Sequence, residues 1–237
     1  MNELSGKTAY ITGGSKGIGL GIAKSLIDTG MNIAITSRTL SAAEKAAASV
    51  TDDSSRVLAI ESDVSSLTDE MEAVEKVIDK FGGVDVLIAN AGVGHFVNIE
   101  EMSEETWREM IDTNLTGVFN SVKACLPSLK KSKGYIITMA SLAGTNFFEN
   151  GSAYNASKFG LVGFSQAIML DLRKLGIKVT TIMPGSVSTY FNDRVPGDSD
   201  QWKIQPEDIG QMVVDLLEMH PRTLPSKIEV RPSLPPK

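Results

Sequence analysis

TAYITGGSKGIG, residues 8–19, is the stretch that decides the fold. It reads as a strand, TAYIT (8–12), then a glycine-rich turn, then the start of a helix. Gly13 and Gly14 let the chain turn sharply with unusual φ values. Gly17 and Gly19 leave room for backbone to approach a ligand and for the helix to pack on the strand. The helix N-terminus then points free N–H groups and a positive dipole end at the turn, where a pyrophosphate is the natural guest. A tight turn without a ligand is the plainer alternative for such a motif taken alone. The same residues spell G-x-S-x-G at 13–17, the nucleophile elbow of serine hydrolases, with Ser15 as nucleophile. That reading needs a later acid and histidine. His220 has the right chain order but ends a helix, His95 breaks the order, and Ser15 follows the first strand instead of a later one.

Working outward, β-branched runs alternate with helical patterns. Strands are expected at 8–12, 32–36, 57–60, 84–90, 134–139 and 178–183, with a short last one at 227–231. They are apolar on both faces, as a sheet covered on both sides requires. Helices are expected at 17–30, 40–50, 67–81, 103–112, 114–130, 152–175 and 206–219, with Gly30 and Gly176 as stops. Strand, helix, strand with short links predicts an α/β fold: a doubly wound, mostly parallel Rossmann-type sheet forming a single domain over 1–237. The segment from Ser188 to Gln205 is the long irregular one, and the proline-rich tail RPSLPPK is expected to be loosely held.

Composition bounds the function. The 237 residues are 42% hydrophobic and 22% charged, with formal net charge −6. An acidic chain without a basic face argues against nucleic acid as a partner. One cysteine, Cys125, sits in the apolar pattern VKACLPSL and reads as a buried structural thiol, which fits a reducing compartment. Two histidines and no cysteine cluster make a metal site unexpected. The opening MNELSGKTAYITGG has no charged-then-apolar signal pattern, and no apolar run approaches the ~20 residues that span a bilayer. The expectation is a cytoplasmic protein with no membrane partner.

Ser37 and Arg38 stand at the end of the second strand, where a carboxylate normally holds the ribose hydroxyls of NAD. Arg38 with Lys16, Ser15 and Ser37 would instead suit a 2′-phosphate, which favours NADP, with NADPH preferred over NADH. Merely solvated cations are the alternative.

Farther on, SAYNASKFG (152–160) puts Tyr154 and Lys158 four residues apart, on one helix face. Tyr190 and Arg194 share that spacing, so it decides nothing alone. With TGGSKGIG (12–19), Asp63-Val64, NAG (90–92), Asn114, Ser141 and PGSVST (184–189), however, the chain resembles the short-chain dehydrogenase/reductase family over nearly its full length. The family's usual NNAG is Ala89-Asn90-Ala91-Gly92 here.

The resemblance implies roles. Gly13, Ser15, Ile18 and Gly19 would line the cofactor diphosphate and adjoining ribose. Asp63 and Val64 would flank the adenine, with Asn90, Ala91 and Gly92 under the adenosine. Pro184, Gly185, Val187 and Thr189 would hold the nicotinamide end. Tyr154 would exchange a proton with the substrate oxygen, and Lys158 would lower the phenol pKa and bond the nicotinamide ribose. Ser141 would donate to the substrate carbonyl. Asn114 would hold a water linking Lys158 to solvent, or cap the helix it begins.

The implied activity is NADPH-dependent hydride transfer between nicotinamide and a carbonyl or secondary alcohol. A ketone, an aldehyde or a 3-oxoacyl thioester is the expected substrate class. A catalytically silent NADP-binding sensor is the alternative. The 3-oxoacyl-carrier-protein reductases are similar in pattern, but a loop between Thr189 and Pro206 that is short beside theirs and a C-terminus lacking their glycine pair also leave room for a sepiapterin-reductase-like or general carbonyl reductase. Substrate groups are expected from 93–96, 142–150 and 186–205. Phe147, Phe148, Tyr190 and Phe191 form either an apolar wall there or core and subunit contacts. Surplus apolar residues on helices 103–130 and 152–175, with the resemblance, imply a homodimer or homotetramer.

Overall fold

A computed structural model describes residues 4–234, with Asp193 described in its backbone only. Pro235–Lys237, the end of the expected loose tail, lie outside the described residues.

Seven strands form one all-parallel sheet: β1 (Thr8–Ile11), β2 (Asn32–Ser37), β3 (Val57–Glu61), β4 (Val86–Ala89), β5 (Tyr135–Met139), β6 (Lys178–Pro184) and β7 (Lys227–Val230), in the order β3-β2-β1-β4-β5-β6-β7. Every residue of β1, β4 and β5 is buried, which is why these strands read as unbroken apolar runs. Side chains alternate between two cores. Ile11, Ile33, Ile35 and Ile137 pack with α1 (Gly17–Asp28) and α7 (Pro206–Glu218) on one face. Tyr10, Leu87, Ile136 and Val179 face α3 (Leu67–Phe81), α5 (Gly117–Ser132) and α6 (Ser152–Leu172) on the other. Each such Ile or Leu, fully buried, contributes about 1.5–3 kcal/mol.

The remaining helices are α2 (Leu40–Val50) and α4 (Glu104–Ile111). Local signals explain the ends. Ser66 accepts from the Asp69 N–H to start α3, and Pro206 opens α7 behind a Gln205–Asp208 capping box. Past α6, one 3-10 turn at Arg173–Leu175 leads to left-handed Gly176.

Two local expectations change. Helices 103–112 and 114–130 are not separate: α4 runs into α5 through a π-helical turn, Asp112–Thr116. Asn114 therefore sits inside continuous helix, fully buried, and caps nothing. The C-terminal segment is also less free than expected, because pairing of β7 with β6 carries Arg231 and Pro232 onto a cavity wall.

The strand order reverses between β1 and β4. In open α/β sheets a ligand crevice lies at that switch, beyond the carboxyl ends of the strands.

Candidate active site

A cavity of about 1300 Å3 opens there. Its floor is the turn after β1. Gly13 has φ +61°, and a Cβ on it would come within 2.8 Å of Ala91 Cα. Gly14 is not in the left-handed region; it is glycine because a Cβ would meet Ile35 Cγ2 at 2.9 Å. Gly17 does need its conformation, with φ +57°. Gly19 lies behind the floor and not on it, since a Cβ there would strike Asn90 Nδ2 at 2.6 Å. Asn90 uses that amide to donate to the carbonyls of Thr12 (2.9 Å) and Gly13 (3.1 Å). Thr12 Oγ1 in turn accepts from the N–H groups of Asn90 and Ala91, both at 3.1 Å. The loops after β1 and β4 are thus sewn together.

Two observations fit this floor to a pyrophosphate and its sugars. Helix α1 starts with no side-chain cap, so its first-turn N–H groups face the cavity with no side chain to satisfy them. The Thr36 hydroxyl, on the cavity wall, is buried without a hydrogen-bond partner.

Ser15, Lys16, Ile18, Ser37, Arg38, Asp63, Val64, Ala91, Gly92, Pro184, Gly185, Val187 and Thr189 all line the cavity, as do Gly13 and Asn90. The loop carrying Asp63 and Val64 is held from behind. Asn120 Nδ2 donates to the carbonyls of Val64 (2.8 Å) and Ser65 (3.1 Å), and Ser62 and Tyr10 donate to buried Glu70 at 2.7 and 3.0 Å. Arg38 lies on the rim with Glu109 Oε1 at 3.8 Å, while the other Glu109 oxygen is 2.9 Å from His95 Nε2.

At the far wall, Ser141, Tyr154 and Lys158 come together. Tyr154 and Lys158 occupy the first turns of α6, with Nζ 5.8 Å from the phenol ring centroid. Asn155 locks α6 to the Ser141 turn by donating to the carbonyls of Ala143 and Asn146, both at 2.7 Å. Lys158 Nζ donates to the Met139 carbonyl at 3.0 Å. Asn114 does not line the cavity. Its amide brackets the Val93 backbone, accepting from that N–H (2.8 Å) and donating to that carbonyl (2.9 Å), and also donates to Ser157 Oγ (3.0 Å). Ser157 donates to the Tyr154 carbonyl, which completes a buried chain from the β4 loop to α6.

Electrostatics correct one expectation. Burial pushes the Tyr154 phenol up to about 12, with Ser141 hydrogen bonding pulling the other way. Burial pulls Lys158 down to about 8. Desolvation, not the ammonium, dominates the phenol in this geometry.

The serine hydrolase reading finds no support. Neither histidine lines the cavity that Ser15 faces: His95 bonds Glu109, and His220 is exposed beyond α7. Cys125 is buried, its thiol pushed up by desolvation. Among the described residues, no group of three or more His, Cys, Asp or Glu is placed to hold a metal, and no helix is long and apolar enough to cross a membrane.

The family model for the short chain dehydrogenases matches residues 7–199. The chain belongs to this family. It is 34% identical to an uncharacterized oxidoreductase of Staphylococcus saprophyticus, over 98% of this chain and all of that one. An alcohol dehydrogenase from the archaeon Thermococcus sibiricus, complexed with 5-hydroxy-NADP, superposes with TM-score 0.90 at 32% identity, covering 96% of this chain and 97% of that one. A 3-ketoacyl-(acyl-carrier-protein) reductase from Brucella melitensis, complexed with NADH, gives TM-score 0.87 at 27% identity, covering 95% and 97%. Membership makes this chain a nicotinamide-dependent short-chain dehydrogenase/reductase, an enzyme of the oxidoreductase class.

Sequence reasoning missed several cavity residues. Glu109 carries no motif and reaches the rim only because α4 crosses it. Arg231 and Pro232 also line the wall, whereas Trp202, likewise on it, falls in the expected 186–205 segment. Phe147, Phe148, Tyr190 and Phe191 do line the cavity, and Phe96 joins them.

Proposed function

We propose that this short-chain dehydrogenase/reductase uses NADPH to reduce a carbonyl compound to a secondary or primary alcohol, and catalyses the reverse oxidation. The observation that carries this reading is the convergence of Ser141, Tyr154 and Lys158 on one wall of a cavity whose floor is the uncapped α1 turn.

The glycine turn, Ser15, Ile18 and the α1 N-terminus would hold the diphosphate, Asp63 and Val64 the adenine, and Pro184, Gly185, Val187 and Thr189 the nicotinamide end. The bound nicotinamide supplies the hydride. Ser141 donates a hydrogen bond to the substrate oxygen and so stabilises charge that grows there. Tyr154 then gives its phenolic proton to that oxygen. A phenol held near 12 keeps this proton at neutral pH, and positive charge brought close to Lys158 and Tyr154 lowers the phenol for the reverse reaction. Lys158 bonds the ribose beside the nicotinamide. Asn114 acts from behind by fixing Val93 and Ser157. A water route from Lys158 to solvent is supported by Gly92, where a Cβ would lie 3.2 Å from Asn114 Oδ1 and 3.7 Å from Lys158 Nζ.

The preference for NADPH rests on Arg38, Lys16, Ser15 and Ser37 on the rim and on the NADP analogue carried by the Thermococcus sibiricus relative. A cytoplasmic homodimer or homotetramer is part of the same proposal. The outer faces of α5 and α6 support it, with Phe119 and Leu170 exposed and Phe119 edge-on to Phe164 at 6.4 Å.

The test is loss of reduced-nicotinamide absorbance, with NADPH and then NADH, against ketones, aldehydes and a 3-oxoacyl thioester. Tyr154→Phe runs in parallel. Turnover that depends on Tyr154 supports the proposal. NADPH binding with no turnover on any carbonyl overturns it in favour of a sensor.

A further inference from the structure

Aromatic residues make up only 6% of this chain, yet half of them line the cavity. Three rings gather on Tyr154 itself: Phe96 with its centroid at 5.6 Å, Phe191 at 5.6 Å and Phe148 at 6.4 Å. They come from three different loops, after β4, after β6 and before α6, so no single helix or strand forces them together. The arrangement is also accommodated by the backbone. A Cβ on Gly94 would come within 2.2 Å of Phe191 Cζ, so only glycine at 94 lets that ring lie where it does.

Phe191 is half-buried against the small cluster of Met110, Ala143, Ala153 and Tyr154, but Phe96 and Phe148 are not consumed by the core. Phe96 is 38% exposed and Phe148 42%. Phe96 stands edge-to-face with Phe148 at 89° and with Tyr154 at 77°, while Phe148 and Phe191 are each tilted at 56° to Tyr154. Such rings present positive edges and negative faces to a neighbour, which reward another aromatic ring over a saturated body of equal size.

Taking the carbonyl-reductase reading as its basis, we infer that the substrate is an aryl ketone or aryl aldehyde, its ring held among Phe96, Phe148 and Phe191 with the carbonyl oxygen at Tyr154 and Ser141. The carbonyl carbon of the substrate accepts hydride from reduced nicotinamide. Its π pair moves to oxygen, the oxygen takes the Tyr154 proton, and the products are a benzylic alcohol and oxidised nicotinamide.

Acetophenone and cyclohexyl methyl ketone test this directly. They match in size and differ in aromaticity, and conjugation makes the aryl ketone the less electrophilic of the two. A preference for it therefore reports the protein. The wild type should turn over acetophenone with kcat/KM about fivefold or more above the saturated ketone. Phe96→Leu and Phe148→Leu keep an apolar wall without the ring and should each bring that ratio toward one. Circular dichroism and NADPH affinity check that the variants are folded, and the more exposed Phe148 serves if Phe96→Leu does not fold. Equal rates on both ketones, or a ratio unmoved in the folded variants, overturn the inference. Tyr154-dependent turnover of a 3-oxoacyl thioester alone also overturns it while leaving the reductase reading intact. Absence of turnover on every carbonyl removes both.

Discussion

Arg38 and Glu109 face each other across the cavity rim at 3.8 Å, and His95 holds the same carboxylate at 2.9 Å. In the proposed NADPH reading Arg38 would be the cation offered to a 2′-phosphate, and Glu109 would compete with that phosphate and also repel it. The pair is largely exposed, so each effect is modest. Glu109→Gln should tighten NADPH severalfold and leave NADH unchanged. Arg38→Asp should weaken NADPH by roughly tenfold or more, since charge-assisted bonds contribute about 1.5–3 kcal/mol. Titration calorimetry with both cofactors checks this; equal responses to either substitution would show that no 2′-phosphate sits at Arg38.

Tyr154→Phe removes only the phenolic oxygen from a ring packed by three others. Turnover should fall by about 10²–10⁴-fold, the usual worth of a positioned proton donor. NADPH affinity should stay within about twofold. Steady-state rates with parallel binding measurements check both, and retained turnover would remove Tyr154 from the mechanism.

Lys158 gives a pH signature. Its folded pKa, about 8, lies below the ordinary 10.5, so between those values the unfolded chain binds more protons and stability rises with pH. At neutral pH the buried ammonium costs up to about 3 kcal/mol. Lys158→Met should therefore stabilise the protein at pH 7, by about 1–2 kcal/mol once the lost bond to the Met139 carbonyl is counted. That gain should shrink as pH rises through 8 toward 10.5. Tyr154 slopes the other way: its raised pKa adds stability that is present below 10 and lost as pH climbs to about 12. Urea unfolding of both proteins across this range reads the difference, and a gain independent of pH would contradict the assignment.

Gly13→Ala combines a left-handed φ with a Cβ 2.8 Å from Ala91 Cα. Strain of this kind costs about 1–3 kcal/mol. The variant should unfold at lower urea and bind either cofactor more weakly, because the β4 loop must move. Unchanged cofactor affinity would separate the turn from the binding floor.

Asn114→Ala leaves the Val93 N–H and carbonyl without their partner, a loss of about 1–3 kcal/mol for groups so placed. Stability and turnover should both fall, and NADPH affinity less than turnover. A helix cap would not produce that split, since capping loss has no route to α6.

The sequence alone determined a great deal here. Short unbroken β-branched apolar runs, glycines at helix ends and the capping residues of α3 and α7 are local signals, so the parallel sheet and its order of elements were readable. So was the cradle, a short motif fixed by its own backbone geometry, whereas Ser141, Tyr154 and Lys158 were grouped only through the family resemblance, because the Tyr154–Lys158 spacing decides nothing alone and Ser141 stands on a separate loop. Tertiary structure decided what depends on distant segments meeting. The π turn at Asp112–Thr116 buries Asn114 against Val93 instead of letting it cap a helix, since helical hydrogen bonding continues through it. Glu109 reaches Arg38 only where α4 crosses the rim, and Arg231 joins the wall only through the β6–β7 register. The sign of the shift at Tyr154 was set the same way. Spacing placed a cation one helical turn from the phenol, but the depth of burial, which no local pattern encodes, made desolvation the larger effect.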